Sequence, residues 1–371
     1  MSADRCPNGH GELEPRVIET DHVGPHRACA TCGYMRGVRG PRLEDEAEDL
    51  QLILGYSTKA EARADTARSR AEIAGPVLVS YGGGTNSTAM LIELAARGEH
   101  VSAILFADTG GERQETYDFI AMFSEWLVAH GQPEITIVRH VRRDGTFQSL
   151  EDECLEKRRL PSIAYGFKKC SGKFKLEPQT KWTNHWDLAR VAWKARRRIT
   201  KLVGFGIDEQ RRADKGNEYQ SDAWFKRYAS GESARDIALS ELGLGDDPPV
   251  NPLRNMMRKV LEAIRYRKRY PLIEFGMDRD SCVATIDRAG IRRPGKSACW
   301  YCPSSRKPEI RALPIPLQRR AIAMERNAAD TLTSVKGLGR SFSWEGFLAG
   351  EASHQTSIEF PCECTDGDDE P

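Results

Sequence analysis

The sequence predicts an α/β fold with a doubly wound parallel sheet, preceded by a small cysteine-bearing module and followed by a helical region. Two observations carry that prediction. Short apolar runs of strand type alternate with amphipathic stretches of helical length, the pattern of βαβ units. A triple glycine, Gly82-Gly83-Gly84, follows the first of those runs and opens the first of those helices. In order, the pattern places a strand at 76–81, a helix at 86–97, a strand at 101–107, a helix at 113–130 and a strand at 134–139. A helix near 177–198, a strand at Leu202–Gly206 and helices near 255–268 and 279–289 complete the alternation. In such a sheet a ligand sits beyond the carboxyl ends of the strands, where the glycine loop falls.

The flanking segments read differently. Residues 1–40 carry Cys6-x3-His10 and Cys29-x2-Cys32 on glycine-bearing turns, 18 residues apart, the layout of a zinc ribbon. A segment this small has little core, so metal binding would supply its folding energy. His22 and His26 are rival ligands, and a two-cysteine redox pair is the alternative. Residues 41–74 are polar and alanine-rich with helical spacing at Leu50, Ile53 and Leu54, a linker helix. The α/β core is assigned to 75–250 and a helical, cysteine-bearing region to 251–355. The acidic tail 356–371 has the composition of a disordered segment.

Composition narrows the function classes. At 371 residues and 39% hydrophobic content the chain can bury one large core with smaller appendages. No run approaches the length of a membrane span, and the amino terminus has no secretory apolar stretch. Ten clustered cysteines favour metal or redox chemistry in a reducing, cytoplasmic setting over a disulfide scaffold. The net charge of +1 conceals segregation: between Arg139 and Lys215, 20 Lys/Arg stand against 10 Asp/Glu. A basic middle suits a polyanion, either a nucleotide or a nucleic acid.

The glycine loop is the sharpest signal. Ser80-Tyr81-Gly82-Gly83-Gly84-Thr85-Asn86-Ser87-Thr88 sits at a strand-to-helix junction, where backbone N–H groups and the helix dipole favour an anion. Thr85, Ser87 and Thr88 add hydroxyls for capping or phosphate. It is neither a Walker A loop nor a Gly-x-Gly-x-x-Gly fingerprint.

It resembles the pyrophosphate-binding loop of the PP-loop ATP pyrophosphatases and the phosphoadenosine phosphosulfate (PAPS) reductase family, whose pattern is Ser-Gly-Gly-x-Asp-Ser. Gly82 stands where the first Ser is usual, and Asn86 where the Asp is usual. Three further blocks are similar to that family: Asp108-Thr109-Gly110 through Glu115-Thr116; Cys170 followed by Lys173, Lys175 and Pro178; and Gly204 through Glu209, Arg211 and Arg212. The four blocks span roughly 76–212. The resemblance implies a HUP-type, Rossmann-like core that binds ATP or PAPS. Ser80, Gly82–Gly84, Thr85, Ser87, Thr88, Asp108, Lys175 and Glu209 would contact the nucleotide. Asn86, Asp108, Lys173, Arg211, Arg212 and Mg2+ would act in catalysis.

Cys299-Trp300-Tyr301-Cys302-Pro303 resembles the cysteine knuckle of the PP-loop subunit of DNA phosphorothioation systems. With Cys170 and Cys282 it forms a four-thiol set for zinc or a [4Fe–4S] cluster, with three ligands leaving an open iron. Cys364, after Glu363 and Cys362, is a weaker match to the tail nucleophile of PAPS reductases.

These resemblances imply an enzyme that adenylates a substrate, releases pyrophosphate and then transfers sulfur or nitrogen, with nucleic acid as an acceptor and a sulfur-donor protein as a partner. One alternative is a true PAPS or adenylylsulfate reductase. The other is an inactive nucleotide-sensing or nucleic-acid-binding protein.

Overall fold

The computed structural model describes residues 75–217, 220–243 and 249–350, and the backbone of three short strands nearer the amino terminus. Those three, β1 (Glu14–Arg16), β2 (His26–Ala28) and β3 (Met35–Arg36), form a small antiparallel sheet in the order β1-β2-β3. Cys6, His10, Cys29, Cys32, His22, the linker 41–74 and the tail with Cys362 and Cys364 lie outside the described residues.

The main sheet has five strands, all parallel: β4 (Val77–Tyr81), β5 (Ala103–Asp108), β6 (Ile135–Arg139), β7 (Ile199–Val203) and β8 (Tyr266–Arg269). Their order is β6-β5-β4-β7-β8. The chain runs outward from β4 to β6 on one side, then returns to place β7 against the other edge of β4. The strand order therefore reverses between β4 and β7, and such a switch point opens a crevice at the strands' carboxyl ends.

Alternation along the strands feeds two cores. Val79, Tyr81, Ile104, Phe106 and Leu202 point to one face, covered by α1 (Thr85–Ala96), α2 (Gln114–Ala129) and, from further along the chain, helix Arg279–Arg288. Leu78, Ala103, Leu105, Val138 and Ile199 point to the other, under Trp182, Trp186 and Ala189. Every residue of β5 is buried, as expected for an inner strand covered on both faces. At about 1.5–3 kcal/mol for each large apolar side chain removed from water, this double burial specifies the register strongly.

The outer elements depart from the sequence pattern in instructive ways. The helix expected at 177–198 is two, α4 (Glu177–His185) and α5 (Asp187–Lys194), because Trp186 adopts an extended backbone to pack its ring beside Trp182. The strand expected at 202–206 begins at Ile199 and ends at Val203. The helix near 255–268 is α8 (Val250–Arg265), and Tyr266-Arg267-Lys268-Arg269 is not helical but the edge strand β8. Four largely charged residues carry no strand signal; pairing with β7 makes them one, and their charges suit an exposed edge. The sheet thus takes its last strand from the stretch assigned to the helical region. Between β7 and α8 lie α6 (Asp222–Ala229) and α7 (Ala234–Leu242), which the pattern did not reveal. They pack on α8 in a separate cluster around Ile237, Val260 and Ile264.

A further core joins 150–174 to the carboxyl-terminal region. It gathers α3 (Leu150–Glu156), Phe174, the Cys299–Cys302 turn, α10 (Ile315–Ala328) and α11 (Trp344–Leu348). Helix Arg279–Arg288 is hereafter α9. Ser149 starts α3 with a capping box: its hydroxyl accepts from Asp152 N at 3.0 Å and its N–H donates to the Asp152 carboxylate at 2.9 Å. Buried Glu325 anchors the last segment by accepting the N–H groups of Leu338, Trp344 and Glu345. Among the described residues no helix is long and apolar enough to cross a membrane.

Candidate functional site: a glycine loop and a cysteine pocket

The Gly82–Gly84 loop leaves β4 at the switch point. Gly83 has φ +77°, and a Cβ there would lie 3.1 Å from the Phe106 ring and 3.3 Å from Ser297 Oγ, so a side chain fits neither the conformation nor the space. Gly84 caps α1 without a side-chain hydrogen bond, leaving the first turn of the helix to its own N–H groups. The hydroxyls close the loop on itself. Ser87 Oγ accepts from Gly82 N at 3.3 Å and donates to Gly84 O at 3.2 Å; Thr88 Oγ1 and the Tyr81 hydroxyl are 3.0 Å apart. Ser80 points to the opposite face and donates to Gln179 on α4 at 2.8 Å.

Asn86 is fully buried and bridges two other loops. Its Nδ2 donates to Glu209 Oε2 at 2.9 Å, and its Oδ1 accepts from Arg279 Nη1 at 3.3 Å. Glu209, just past β7, also pairs with Arg212, whose guanidinium lies over the Phe205 ring at 4.4 Å. Gly204 approaches Ser87 so closely that an added Cβ would sit 2.8 Å from its Cα. The loops after β4 and β7 and the start of α9 therefore meet at one point, with an amide where a carboxylate would face another carboxylate. Arg211 is exposed beside them.

Asp108 lies elsewhere, and its carboxylate is used internally. It accepts from Arg139 at 2.7 and 2.5 Å, from the Tyr117 hydroxyl at 2.8 Å and from Gly110 N at 2.7 Å. Burial, then the adjacent Asp108 charge, pushes the Tyr117 phenol far up, so it stays a donor. This arrangement makes Asp108 the hub of the β5–β6 strand ends. It does not leave the carboxylate open toward a ribose or Mg2+.

Lys169–Ser171, Gly172–Leu176 and α4 run on as one helix whose middle stretch is a π-helix. That stretch carries Lys173, which pairs with Glu153 and donates to Gln148 at 3.3 Å, and Lys175, 3.9 Å from Glu112. Lys175 also lines a cavity of about 30 Å³ with Cys170, Cys299, Cys302, Thr109 and Tyr301. Thr109 Oγ1 lies 3.0 Å from Cys299 Sγ, and Trp300 N donates to Gly111 O at 2.8 Å, seating the Cys299–Cys302 turn on the loop after β5. A Cβ on Gly111 would collide with the Tyr301 ring at 2.6 Å, so glycine is required there. The same turn reaches the glycine loop, since Ser297 Oγ donates to Gly82 O.

Of the four cysteines paired by sequence, the structure brings three to this cavity. Cys282 is on α9, in the core against α1. The fourth thiol of the cysteine cluster is instead Cys154 of α3, which shares a core with Cys299 and Cys302. No spacing rule flags Cys154, which lies 145 residues before Cys299 in the sequence. Burial pushes the Cys299 thiol up to about 12 despite Lys175 and the Thr109 hydrogen bond, and burial pushes Cys282 to about 12 and Cys154 well up. These thiols are soft donors suited to zinc or iron. Yet among the described residues no three Cys, His, Asp or Glu side chains converge closely enough to hold an ion. The donor chemistry fits a metal; the side-chain arrangement does not converge on one. Arg279 was missed by sequence, and Ser297 and Tyr301, whose buried hydroxyl lacks a hydrogen-bond partner, lay beside or within the cysteine motif without a role assigned to them.

No family model matches the chain, and no curated protein matches it in sequence.

Proposed function

We propose that this protein is a PAPS reductase-like PP-loop enzyme with a HUP-type core. It would bind an adenine nucleotide with its pyrophosphate on Gly82–Ser87 and let an acceptor oxygen attack the α-phosphorus, releasing pyrophosphate; a sulfur or nitrogen nucleophile would then displace AMP from the acceptor. The observation that carries the proposal is the place of the glycine loop. It opens α1 at the switch point between β4 and β7, and Ser297 ties it to the turn that bears Cys299 and Cys302. A candidate anion loop and a thiol pocket are therefore linked through Ser297, as two-stage chemistry needs.

In this reading each residue takes a part that its position supports. Loop amides and the α1 N-terminus bind and orient phosphate; catalysis on such a site is mainly positioning and charge neutralisation. Glu209 and Arg212 fix Asn86, and with it the loop. Lys175 places positive charge beside Cys299 and Cys170. Cys170, Cys299 and Cys302, which line the cavity, are the donors that a metal or cluster for sulfur activation would have to draw together. Zinc at residues 1–40, Mg2+, a nucleic-acid acceptor, a sulfur-donor protein and a cytoplasmic setting belong to the same proposal.

A second reading is favoured by Asn86 and Asp108, both fully engaged inside the protein: a core that binds nucleotide as a sensor without turning it over. The test is to incubate anaerobically purified full-length protein with ATP and Mg2+ and candidate RNA or DNA, and separately with PAPS and reduced thioredoxin. Pyrophosphate release supports the proposal. Sulfite release makes it a reductase. Tight nucleotide binding with neither product leaves the sensor.

A further inference from the structure

We propose, resting on the sulfur-transfer stage of the proposed function and not on the glycine loop, that the cysteine cavity is a sulfane-sulfur site. Cys170 carries an extra sulfur atom into it as a persulfide. Two observations point to an occupant. Tyr301 lines the cavity and is fully buried, yet its hydroxyl has no hydrogen-bond partner. An unpaired buried hydroxyl is costly, and an acceptor in the cavity satisfies it. The thiols of Cys170, Cys299 and Cys302 line the same space, but among the described residues no three such donors converge closely enough to hold an ion. A metal requires them to move. A sulfur atom bonded to one of them does not.

Size and lining select the ligand. The cavity measures about 30 Å³, and one water needs about 10–15 Å³ of such space, so it takes about two small groups and no nucleotide or amino acid. Its walls include Leu150, Ile163 and Ala298, which suit a soft, weakly hydrated sulfur better than a water that needs several polar partners. Exposure selects the carrier: Cys170 is half-buried and can meet a donor, whereas Cys299 and Cys302 are buried. Cys170 N donates to Ser162 Oγ at 2.9 Å, which fixes the start of its helix. Lys175 shares its charge with Glu112 at 3.9 Å, so the Tyr301 hydroxyl is the contact on which the site depends. In the loading step the Cys170 thiolate attacks the terminal sulfur of a donor persulfide, R–S–SH. The donor's S–S bond breaks, a new S–S bond forms on Cys170 Sγ, and the donor leaves as a thiolate that takes the Cys170 proton. No oxidant or reductant is consumed.

The test treats reduced, anaerobic full-length protein with cysteine persulfide, and in a second arm with hydrosulfide alone, followed by alkylation and tryptic digestion. Cys170 falls on the peptide Cys170–Lys173 and the other two thiols on Ser297–Arg306, so the sites are read separately. One added sulfur is expected on the Cys170 peptide in the persulfide arm and none in the hydrosulfide arm. In Cys170→Ser neither peptide should gain sulfur. Tyr301→Phe keeps the ring and removes only the hydroxyl; once loaded, it should lose its sulfur to cyanide about tenfold faster than the parent, the effect of one hydrogen bond to a charged acceptor. Loading should also raise the unfolding midpoint of the parent and not that of Tyr301→Phe, a difference that a merely structural tyrosine would not produce. Sulfur found on Ser297–Arg306 instead, or on neither peptide, overturns the inference. Equal cyanide rates in parent and Tyr301→Phe do the same, leaving a cavity that holds water only. Sulfur on Cys170 without pyrophosphate release from ATP keeps this site and removes the adenylation reading; the reverse result removes this site alone.

Discussion

The glycine loop and the cysteine pocket meet at Ser297 but are built on opposite principles. Around the loop the polar side chains already have partners: Asn86 with Glu209 and Arg279, Ser87 with Gly82 and Gly84, Thr88 with Tyr81. Around the pocket the functional groups are thiols, of which burial keeps that of Cys299 protonated, next to a Tyr301 hydroxyl with no hydrogen-bond partner. An anion site can be assembled from backbone and neutral groups before its ligand arrives. A thiol site for a metal needs deprotonation and convergence, which the ligand itself drives. The comparison teaches that one half of the candidate site is preorganised and the other is poised.

Four variants or conditions would break or sharpen that contrast. The largest effect is expected at the strand ends that support both halves. Asp108→Ala takes the shared carboxylate from Arg139, Tyr117 and Gly110 N, and loss of one partner from a buried pair costs about 3–5 kcal/mol. Urea unfolding would read this; a loss under 1 kcal/mol would show that Asp108 is not the hub described.

Asn86→Asp comes next. It sets a second carboxylate against Glu209 in a fully buried place, where like charges about 4 Å apart repel by about 4 kcal/mol at an intermediate dielectric, partly offset by Arg279. The variant should be destabilised at pH 7, and the gap to the parent should narrow near pH 4 as a carboxyl takes up a proton. Equal stability at pH 7, or a large gain in turnover, would mean that an ion or a rearranged Glu209 accommodates the charge.

Gly83→Ala forces a residue with a Cβ to φ +77° against Phe106, at about 1–2 kcal/mol. Pyrophosphate affinity should fall more than tenfold while Cys170 alkylation stays unchanged, since the added Cβ meets Phe106 and Ser297 and not Cys170. Loss of both together would show that the two halves are one rigid unit.

The smallest effect is the pH dependence of the metal-free protein. Folded-state values near 12 for Cys299 and Cys282 exceed the ordinary thiol value of about 8.5, so the native state keeps protons that the unfolded chain releases. Their contribution to stability is present below about pH 8.5 and is lost as pH rises towards 12. Tyr266 and Tyr270, also raised to about 12 by burial, add to the decline above pH 10. Unfolding midpoints across pH 7–10 should show the fall, shallower in Cys299→Ala; a midpoint rising with pH would contradict the buried-thiol picture.

Much of the fold was legible because its signals are local. Val77–Tyr81 and Ala103–Asp108 are strands by composition, and α1, α2 and α9 lie within a residue or so of where periodicity put them. Tyr266–Arg269 was not legible, because a charged edge strand exists only through its partner. The break at Trp186 was hidden for a similar reason: the ring's burial, not local propensity, sets its backbone.

The site divides along the same line. By itself the sequence determined the glycine loop and the Cys299–Cys302 turn, since three glycines or a Cys-x2-Cys are recognisable wherever they occur. Only the tertiary structure decided what surrounds them. The order β6-β5-β4-β7-β8 places Glu209 and Arg279 on Asn86, 123 and 193 residues away in the chain, and turns Asp108 inward to Arg139. The same packing sets Cys154 beside the cysteine turn and leaves Cys282 in another core. Spacing along a chain encodes neighbours within a turn or a helix; which distant side chains meet depends on the order in which strands pair.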